Sequence, residues 1–197
     1  FTVFFTPLYY LDVKILDIPG QSGYSLNLIS RNYDTLINYM SVFNHGELAF
    51  PDLAMSPMGK IHFEEVKNIF VILQILLPIT AAVGIPWSIY LYRKKHERFF
   101  FKIAGIITLA LPVFLGIWAA INFDSLFITF HKIAFRNDYW IFYPSLDPVI
   151  NILPEEFFMH ALILIVGIVI GMGILFLVLG RKYSKKKIKR NSKKAIK

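Results

Sequence analysis

Three long apolar runs without a charged residue limit what this chain can fold into more than any other feature. They cover residues 68–92, 103–123 and 157–180. Each has at least the roughly 20 residues that an α-helix needs to cross the hydrocarbon core of a membrane. Lipid offers no hydrogen-bonding partners to the backbone, which favours helices as spanning elements. We therefore predict an all-α membrane protein.

The composition supports this prediction and excludes several kinds of site. The chain is 56% hydrophobic over 197 residues, which is unusual for an ordinary soluble domain of this length. It contains no cysteine. Disulfides, thiolate nucleophiles and cysteine-ligated metals are therefore excluded.

The positive charge is concentrated in two segments. Of the 21 lysines and arginines, 15 lie in residues 93–102 and 181–197, whereas 12 of the 13 acidic residues lie elsewhere. A basic tail could bind nucleic acid. Beside an apolar span, however, it is typical of a cytoplasmic anchor that contacts anionic phospholipid headgroups. We predict membrane phospholipids as partners and no nucleic acid.

The positive-inside rule orients the chain, with both basic segments in the cytoplasm and both long connections on the exoplasmic side. Residues 1–6 resemble the outer end of a first transmembrane helix, truncated at the N-terminus; a cleaved signal peptide is the alternative. This predicts four transmembrane helices, two cytoplasmic termini and a small extracellular cap formed by two loops. The predicted segments are 1–6 (end of the first span), 7–67 (exoplasmic loop domain), 68–92 (span), 93–102 (basic cytoplasmic loop), 103–123 (span), 124–156 (exoplasmic functional loop), 157–180 (span) and 181–197 (basic cytoplasmic tail).

Local patterns predict helices and one close helix contact. Apolar residues recur at helical spacing over residues 26–43, which predicts an amphipathic helix. Ser56 followed by Pro57 predicts the start of the next helix. Gly167 and Gly171 form a GxxxG pair that would either allow a close helix approach or add flexibility.

The connection FHKIAFRNDYWIFYPSLDPVINILPEEFF, residues 130–158, is far richer in polar and aromatic residues than a short link between spans requires. Three prolines (Pro144, Pro148 and Pro154) fix the backbone and predict a folded, turn-rich loop. A structured loop held on rigid spans favours a functional role. The alternative is an interfacial loop that only packs.

Two of the five histidines are candidates for chemistry. His62 precedes the second span and His131 follows the third, so both are expected at headgroup depth on the exoplasmic side. Together they could act as base and acid. His96 is expected to be a solvated charge, His45 to be exposed and His160 to make a structural hydrogen bond.

Carboxylates follow both candidate histidines and could fix their tautomers by hydrogen bonding, although exposure to solvent is the alternative. These carboxylates are Glu64, Glu65, Asp138 and Asp147. A zinc site from the two histidines and a carboxylate is conceivable, but no HExxH motif accompanies it. No GxSxG sequence supports a serine hydrolase. We predict no metal and no cofactor.

A polar and aromatic group follows His131 and is the candidate substrate-binding set. Its arginine and asparagine could stabilise an oxyanion or bind a lipid carbonyl, while its aromatic residues could simply anchor at the interface. The set is Arg136, Asn137, Asp138, Tyr139 and Trp140.

Several motifs in this order resemble the bacterial lipoprotein intramolecular transacylase (Lit) family. They are NYDTLINYM, then GKIHFEEVK before a span, FHKIAFRNDYW, and SLDPVINILPEEFF before the last span. The resemblance covers nearly the whole chain except the basic tail. It implies that the functional histidines fall on His62 and His131, and it extends more loosely to residues 137–140.

The resemblance also implies a reaction and a location. Family members act in the bacterial cell membrane on lipoproteins whose N-terminal cysteine carries an S-diacylglyceryl group. They move the sn-2 acyl chain to the α-amino group of the same cysteine, which gives the N-acyl S-monoacylglyceryl (lyso) form. We expect histidine acid–base catalysis, with His131 as base and His62 as its assistant, although the roles could be reversed. The alternatives are a non-enzymatic lipid-binding accessory or transporter subunit, and a metal-dependent lipid hydrolase.

Overall fold

The computed structural model of the protein describes residues 5–94 and 99–195, and side chains as far as residue 181. Every regular element in this part of the chain is helical, which confirms the predicted all-α fold. The α-helices are α1 (Thr6–Ile15), α2 (Ile18–Ser22), α3 (Leu26–Tyr39), α4 (Pro57–Arg93), α5 (Phe99–Ile121), α6 (Phe123–Phe135) and α7 (Glu155–Ala195), with a 3-10 helix at Pro148–Asn151.

Within the described residues, three helices are long and apolar enough to cross a membrane: α4, α5 and α7. Helices α4 and α7 contain the predicted spans 68–92 and 157–180, whereas α5 ends at Ile121, two residues before the end of the predicted span 103–123. Helix α4 has 37 residues and is therefore about 55 Å long, well beyond the roughly 30 Å of a hydrocarbon core. Its first 11 residues, 57–67, precede the uncharged stretch. Residues 1–4 of the expected first span and His96 lie outside the described residues.

The chain divides into two compact units, residues 1–78 with 123–162 and residues 79–122 with 163–197. The first unit has an aromatic core. Tyr9 and Tyr33 stack with ring centroids 3.5 Å apart, and Phe157 meets both rings edge-on. All three are almost fully buried, and the Tyr9 hydroxyl donates to the carbonyl of Ile152 at 2.8 Å. This core joins α1 and α3 to the start of α7 and to the segment that precedes it.

Helix α3 confirms the predicted amphipathic helix, although it ends at Tyr39. Ser25 caps its start by accepting from the backbone N–H of Leu28. At its other end, the Gln74 side chain donates to the Met40 carbonyl at 2.8 Å and accepts from the Val42 N–H at 3.1 Å. The glutamine within an otherwise apolar run therefore satisfies backbone groups beyond the end of α3.

The start of α4 is fixed by two side chains. The Ser56 hydroxyl accepts from the Gly59 N–H at 2.9 Å, which confirms the predicted cap. The Asp147 carboxylate accepts from the Ser56 N–H at 2.7 Å and is buried. A Cβ at Gly59 would overlap this carboxylate, since it would lie 3.0 Å from Cγ. Glycine therefore allows residue 147 to pack on the first turn of α4.

The segment after α5 differs from the predicted turn-rich loop in its first part. Residues 123–135 form α6, and turns occupy much of the segment from 136 to 147. The three prolines all come later, so they do not interrupt α6. Its apolar residues recur at helical spacing, with Leu126 and Phe135 buried. His131 thus lies on a helix, not on a loop.

The second unit brings α5 and α7 into close contact at Gly105 and Gly173. A Cβ on Gly105 would lie 2.9 Å from the carbonyl oxygen of Gly173. By contrast, a Cβ on Gly167 or Gly171 would meet nothing within 4 Å. Of the two alternatives for the GxxxG pair, the close approach is therefore not found between the described helices; at Gly105 and Gly173 the small residues lie one on each helix.

Candidate active site

His62 lies in the second turn of α4 and is 6% exposed. Aromatic rings surround it: the centroid of Phe135 is 4.6 Å away and that of Phe142 is 5.5 Å away. Its Nδ1 atom is buried and has no hydrogen-bond partner in the described part of the chain. A histidine held this way is available to a ligand that brings its own donor or acceptor.

His131 lies in α6 and has a defined tautomer. Its Nδ1 is 2.8 Å from the carbonyl oxygen of Phe127, one turn earlier. A carbonyl can only accept, so Nδ1 carries the proton and donates it. In the neutral ring Nε2 is therefore the atom with a lone pair, as a general base requires.

The fold brings the two histidines together. Their ring centroids are 6.0 Å apart with an interplanar angle of 37°. Phe135 contacts both rings, at 4.6 Å from His62 and 5.5 Å from His131. Two residues 69 positions apart in the sequence thus form one pair, in which His62 is buried and His131 is half-buried.

The surroundings of both rings disfavour their charged forms. Both histidines lie outside the uncharged stretches assigned to the membrane. Burial, and to a lesser degree the nearby His131, lowers the pKa of His62 to about 4. Burial also lowers the pKa of His131, against the raising effect of its hydrogen bond to the Phe127 carbonyl. Both rings are therefore neutral at neutral pH and able to accept a proton.

Asn137 links the two sides of the pair. Its side-chain Nδ2 donates to Glu65 Oε1 at 2.8 Å, and its Oδ1 accepts from the Tyr139 N–H at 3.0 Å. Its backbone carbonyl accepts from the Trp140 indole N–H at 2.9 Å. The Trp140 ring lies 4.9 Å from that of His131. Asn137 thereby fixes a carboxylate beside α4 and an indole against His131.

The rest of the predicted binding set, Arg136, Asp138 and Tyr139, flanks Asn137 in the sequence. Arg136 has a positive φ of 53°, ends α6 and is exposed. Asp138 is exposed and Tyr139 is half-buried. Their roles in binding stay predictions.

The predicted carboxylate on a histidine nitrogen is not found on His62 or His131 in the described residues. Glu64 is exposed, Glu65 bonds to Asn137, and Asp147 caps α4. The short local spacing suggested these contacts, but a backbone carbonyl one helical turn earlier satisfies His131 instead. Among the described residues, no group of three histidine, aspartate or glutamate side chains could hold a metal ion.

The remaining described histidines behave as expected. His160 pairs with the buried Asp12, with Nδ1 and Oδ1 2.8 Å apart, which joins α7 to α1. His45 is exposed.

Sequence reasoning missed the aromatic enclosure of the site. Phe127 and Phe135 flank His131 at i−4 and i+4, so this part of the enclosure follows from helical spacing once α6 is recognised. Phe142 and the Glu65–Asn137 bond depend on contacts between distant segments. No local signal marks them.

Comparison with known proteins gives a consistent result. A model of the family described as "Lipoprotein intramolecular transacylase Lit" matches residues 1–158. A solved structure of the membrane-integral lipoprotein intramolecular transacylase Lit from Bacillus cereus is 44% identical, with a TM-score of 0.87, and the match covers 94% of this chain and 86% of that one. A structure of the same Bacillus cereus protein with a histidine-to-arginine substitution is 42% identical, with a TM-score of 0.78, covering 96% and 84%.

An uncharacterized protein of Aquifex aeolicus (strain VF5) is 29% identical over 148 residues, which are 73% of this chain. The match spans 63% of that relative's length, less than two thirds.

Proposed function

This chain belongs to the lipoprotein intramolecular transacylase (Lit) family, and we propose that it moves the sn-2 acyl chain of an S-diacylglyceryl-cysteine to the α-amino group of the same cysteine. The product is an N-acyl S-monoacylglyceryl lipoprotein. The observation that carries this proposal is the pair of neutral, aromatic-enclosed histidines with ring centroids 6.0 Å apart. The nucleophile and the ester both belong to the substrate, so the protein needs only acid–base groups and a means of positioning.

His131 acts as the general base in this proposal. Its Nδ1 is committed to the Phe127 carbonyl, which leaves Nε2 to take a proton from the attacking nitrogen. A lowered pKa keeps that nitrogen unprotonated at neutral pH. The resulting imidazolium then gives a proton to the departing sn-2 oxygen.

His62 acts as a neutral hydrogen-bond donor to the ester carbonyl. A pKa of about 4 leaves little imidazolium at neutral pH, so polarisation by the neutral ring is favoured over protonation of the leaving group. Such a donor stabilises the negative charge that develops on the carbonyl oxygen.

The proton balance closes without a cofactor. The α-ammonium loses two protons as it becomes an amide N–H; one ends on the sn-2 oxygen and the other passes through His131 to solvent. One C–N bond forms as one C–O bond breaks. Because both groups are in one molecule, a near-attack geometry can supply up to about 7–11 kcal/mol of the barrier reduction.

The surface near the pair suits a lipid substrate. Phe130 contacts His131 edge-on, with centroids 5.3 Å apart, and is itself exposed. Ile133 and Ile141 are also exposed large apolar side chains in the same unit. Such residues favour contact with acyl chains. We place the pair on the exoplasmic side of the bacterial membrane, with both termini in the cytoplasm.

The proposal is tested by incubating the purified protein in detergent with a synthetic diacylglyceryl lipopeptide and no other acyl donor. Mass spectrometry is expected to find an isomer of unchanged mass with one acyl chain on nitrogen. Release of a free fatty acid would instead support a hydrolase. An unchanged substrate with folded protein would support a lipid-binding accessory.

A further inference from the structure

Glu65 lies one turn beyond His62 on α4, at the i+3 position that shares its side of the helix. Its carboxylate is fixed because Oε1 accepts from Asn137 Nδ2 at 2.8 Å. Asn137 cannot readily turn away, since its Oδ1 and its backbone carbonyl hold Tyr139 and Trp140. The Glu65 carboxylate is therefore held in position by Asn137, which follows His131 in the chain.

The second oxygen of this carboxylate has no partner. Glu65 Oε2 is buried and makes no hydrogen bond within the described residues, as is also true of Nδ1 of His62. Buried polar atoms in folded proteins nearly always have hydrogen-bond partners. Two buried atoms without a partner on one side of one helix therefore require an explanation. A ligand group that donates a hydrogen bond would satisfy the carboxylate oxygen.

The missing partner should carry a positive charge. A cation offsets the cost of burying a carboxylate more fully than a neutral donor does. The ion pairs among described side chains are Arg31–Asp52, Lys60–Glu47 and His160–Asp12. Glu65 belongs to none of them.

We propose that Glu65 binds the α-ammonium group of the substrate's N-terminal cysteine. This inference rests on the proposed function, in which an ammonium must reach the histidine pair. Glu65 would hold the nitrogen one helical turn from His62 before His131 takes its proton. Glu65 gains and loses no proton itself, so it binds and orients the nucleophile.

The assignment has a consequence for the substrate class. A lipoprotein with an unmodified α-amine presents the charge that Glu65 requires, whereas a lipoprotein already N-acylated presents none. Glu65 would therefore select diacyl lipoproteins with a free N-terminus.

Two lipopeptides test the assignment. Both carry an ether in place of the sn-2 ester, so neither is turned over; one has the α-amine and the other has hydrogen in its place. Binding is measured by calorimetry in detergent at pH 6.5. The wild-type protein is expected to bind the amine about 10- to 100-fold more tightly than the des-amino peptide, as is usual for a hydrogen bond to a charged group.

The matched variants are Glu65→Gln and Glu64→Gln, which remove the same charge from adjacent positions, the second of them exposed. In Glu65→Gln the ratio of the affinities for the amine and des-amino peptides is expected to fall to about one, because only the amine peptide binds more weakly. Glu64→Gln is expected to keep the wild-type ratio. Equal weakening of both peptides by Glu65→Gln would indicate a merely structural role and overturn the assignment. So would a wild-type protein without preference.

If Glu65→Gln does not fold, Glu65→Asp replaces it and is expected to cut the preference several-fold; an unchanged preference would again overturn the assignment. The readout is separate from turnover. If the wild-type protein binds the amine peptide more tightly but forms no N-acyl product from an ester substrate, only the proposed function is contradicted. Turnover without the preference would contradict only the role of Glu65.

Discussion

At the scale of single residues, the two histidines differ in whether Nδ1 has a hydrogen-bond partner. His131 donates through Nδ1 to a backbone carbonyl, whereas Nδ1 of His62 is buried without a partner. Their lowered pKa values have the same main cause, burial among aromatic rings. These differences support unequal roles for two residues of one type.

Removal of either imidazole tests those roles. His62→Ala and His131→Ala are each expected to lower the rate of N-acyl product formation by at least about 100-fold, the usual contribution of acid–base catalysis. His45→Ala, at an exposed position, should keep the wild-type rate. Initial rates by mass spectrometry check this. Full activity in both site variants, with protein of native thermal stability, would contradict histidine catalysis.

Burial of neutral His62 also predicts how stability depends on pH. Above the unfolded pKa of about 6.5 the ring is neutral in both states and pH has no effect through it. As the pH falls below 6.5, the His62 ring takes up a proton in the unfolded state but stays neutral in the folded state. The free energy of unfolding therefore decreases, by about 2 kcal/mol at pH 5. Below about pH 4 the loss levels off.

Denaturant unfolding in detergent at pH 7 and pH 5 measures this change. His62→Gln is expected to lose less stability on acidification than the wild type, and His45→Gln to lose as much as the wild type. Equal acid sensitivity in His62→Gln and wild type would show that His62 is not buried as a neutral ring.

At the scale of elements, the start of α4 positions His62. Ser56, Asp147 and Gly59 meet there, with no space for a side chain at residue 59. The serine cap followed from sequence alone. The carboxylate belongs to a residue 91 positions away, and it bonds to a backbone N–H instead of the histidine nitrogen that the sequence suggested.

Gly59→Ala is expected to destabilise the protein by about 1–3 kcal/mol, because the new methyl group overlaps the Asp147 carboxylate. Gly84→Ala is the matched control on the same helix, since a Cβ there meets nothing within 4 Å. It should be neutral or stabilise by up to about 1 kcal/mol. Thermal unfolding of both variants in detergent measures these changes in stability. Equal effects would contradict the packing of Asp147 on residue 59.

At the scale of the whole molecule, features set by neighbouring residues could be predicted from the sequence, whereas contacts between distant residues could not. Spans 68–92, 103–123 and 157–180 follow from hydropathy; α4 and α7 contain the first and the last, and α5 covers the second as far as Ile121. The short helix α6 differs from the predicted loop because that prediction rests on prolines, which all lie further along the chain. The bonds Tyr9–Ile152 and Asp12–His160 join residues 143 and 148 positions apart, which no local pattern encodes.

The measurement that tests the central claim most directly is a crossover experiment. One diacylglyceryl lipopeptide is unlabelled, and a second carries heavy isotopes in both its sn-2 acyl chain and its peptide. The two are mixed and incubated with the purified protein in detergent. Intramolecular transfer predicts N-acyl products that are entirely light or entirely heavy, each with the mass of its substrate. N-acyl products that combine a light chain with a heavy peptide would contradict it.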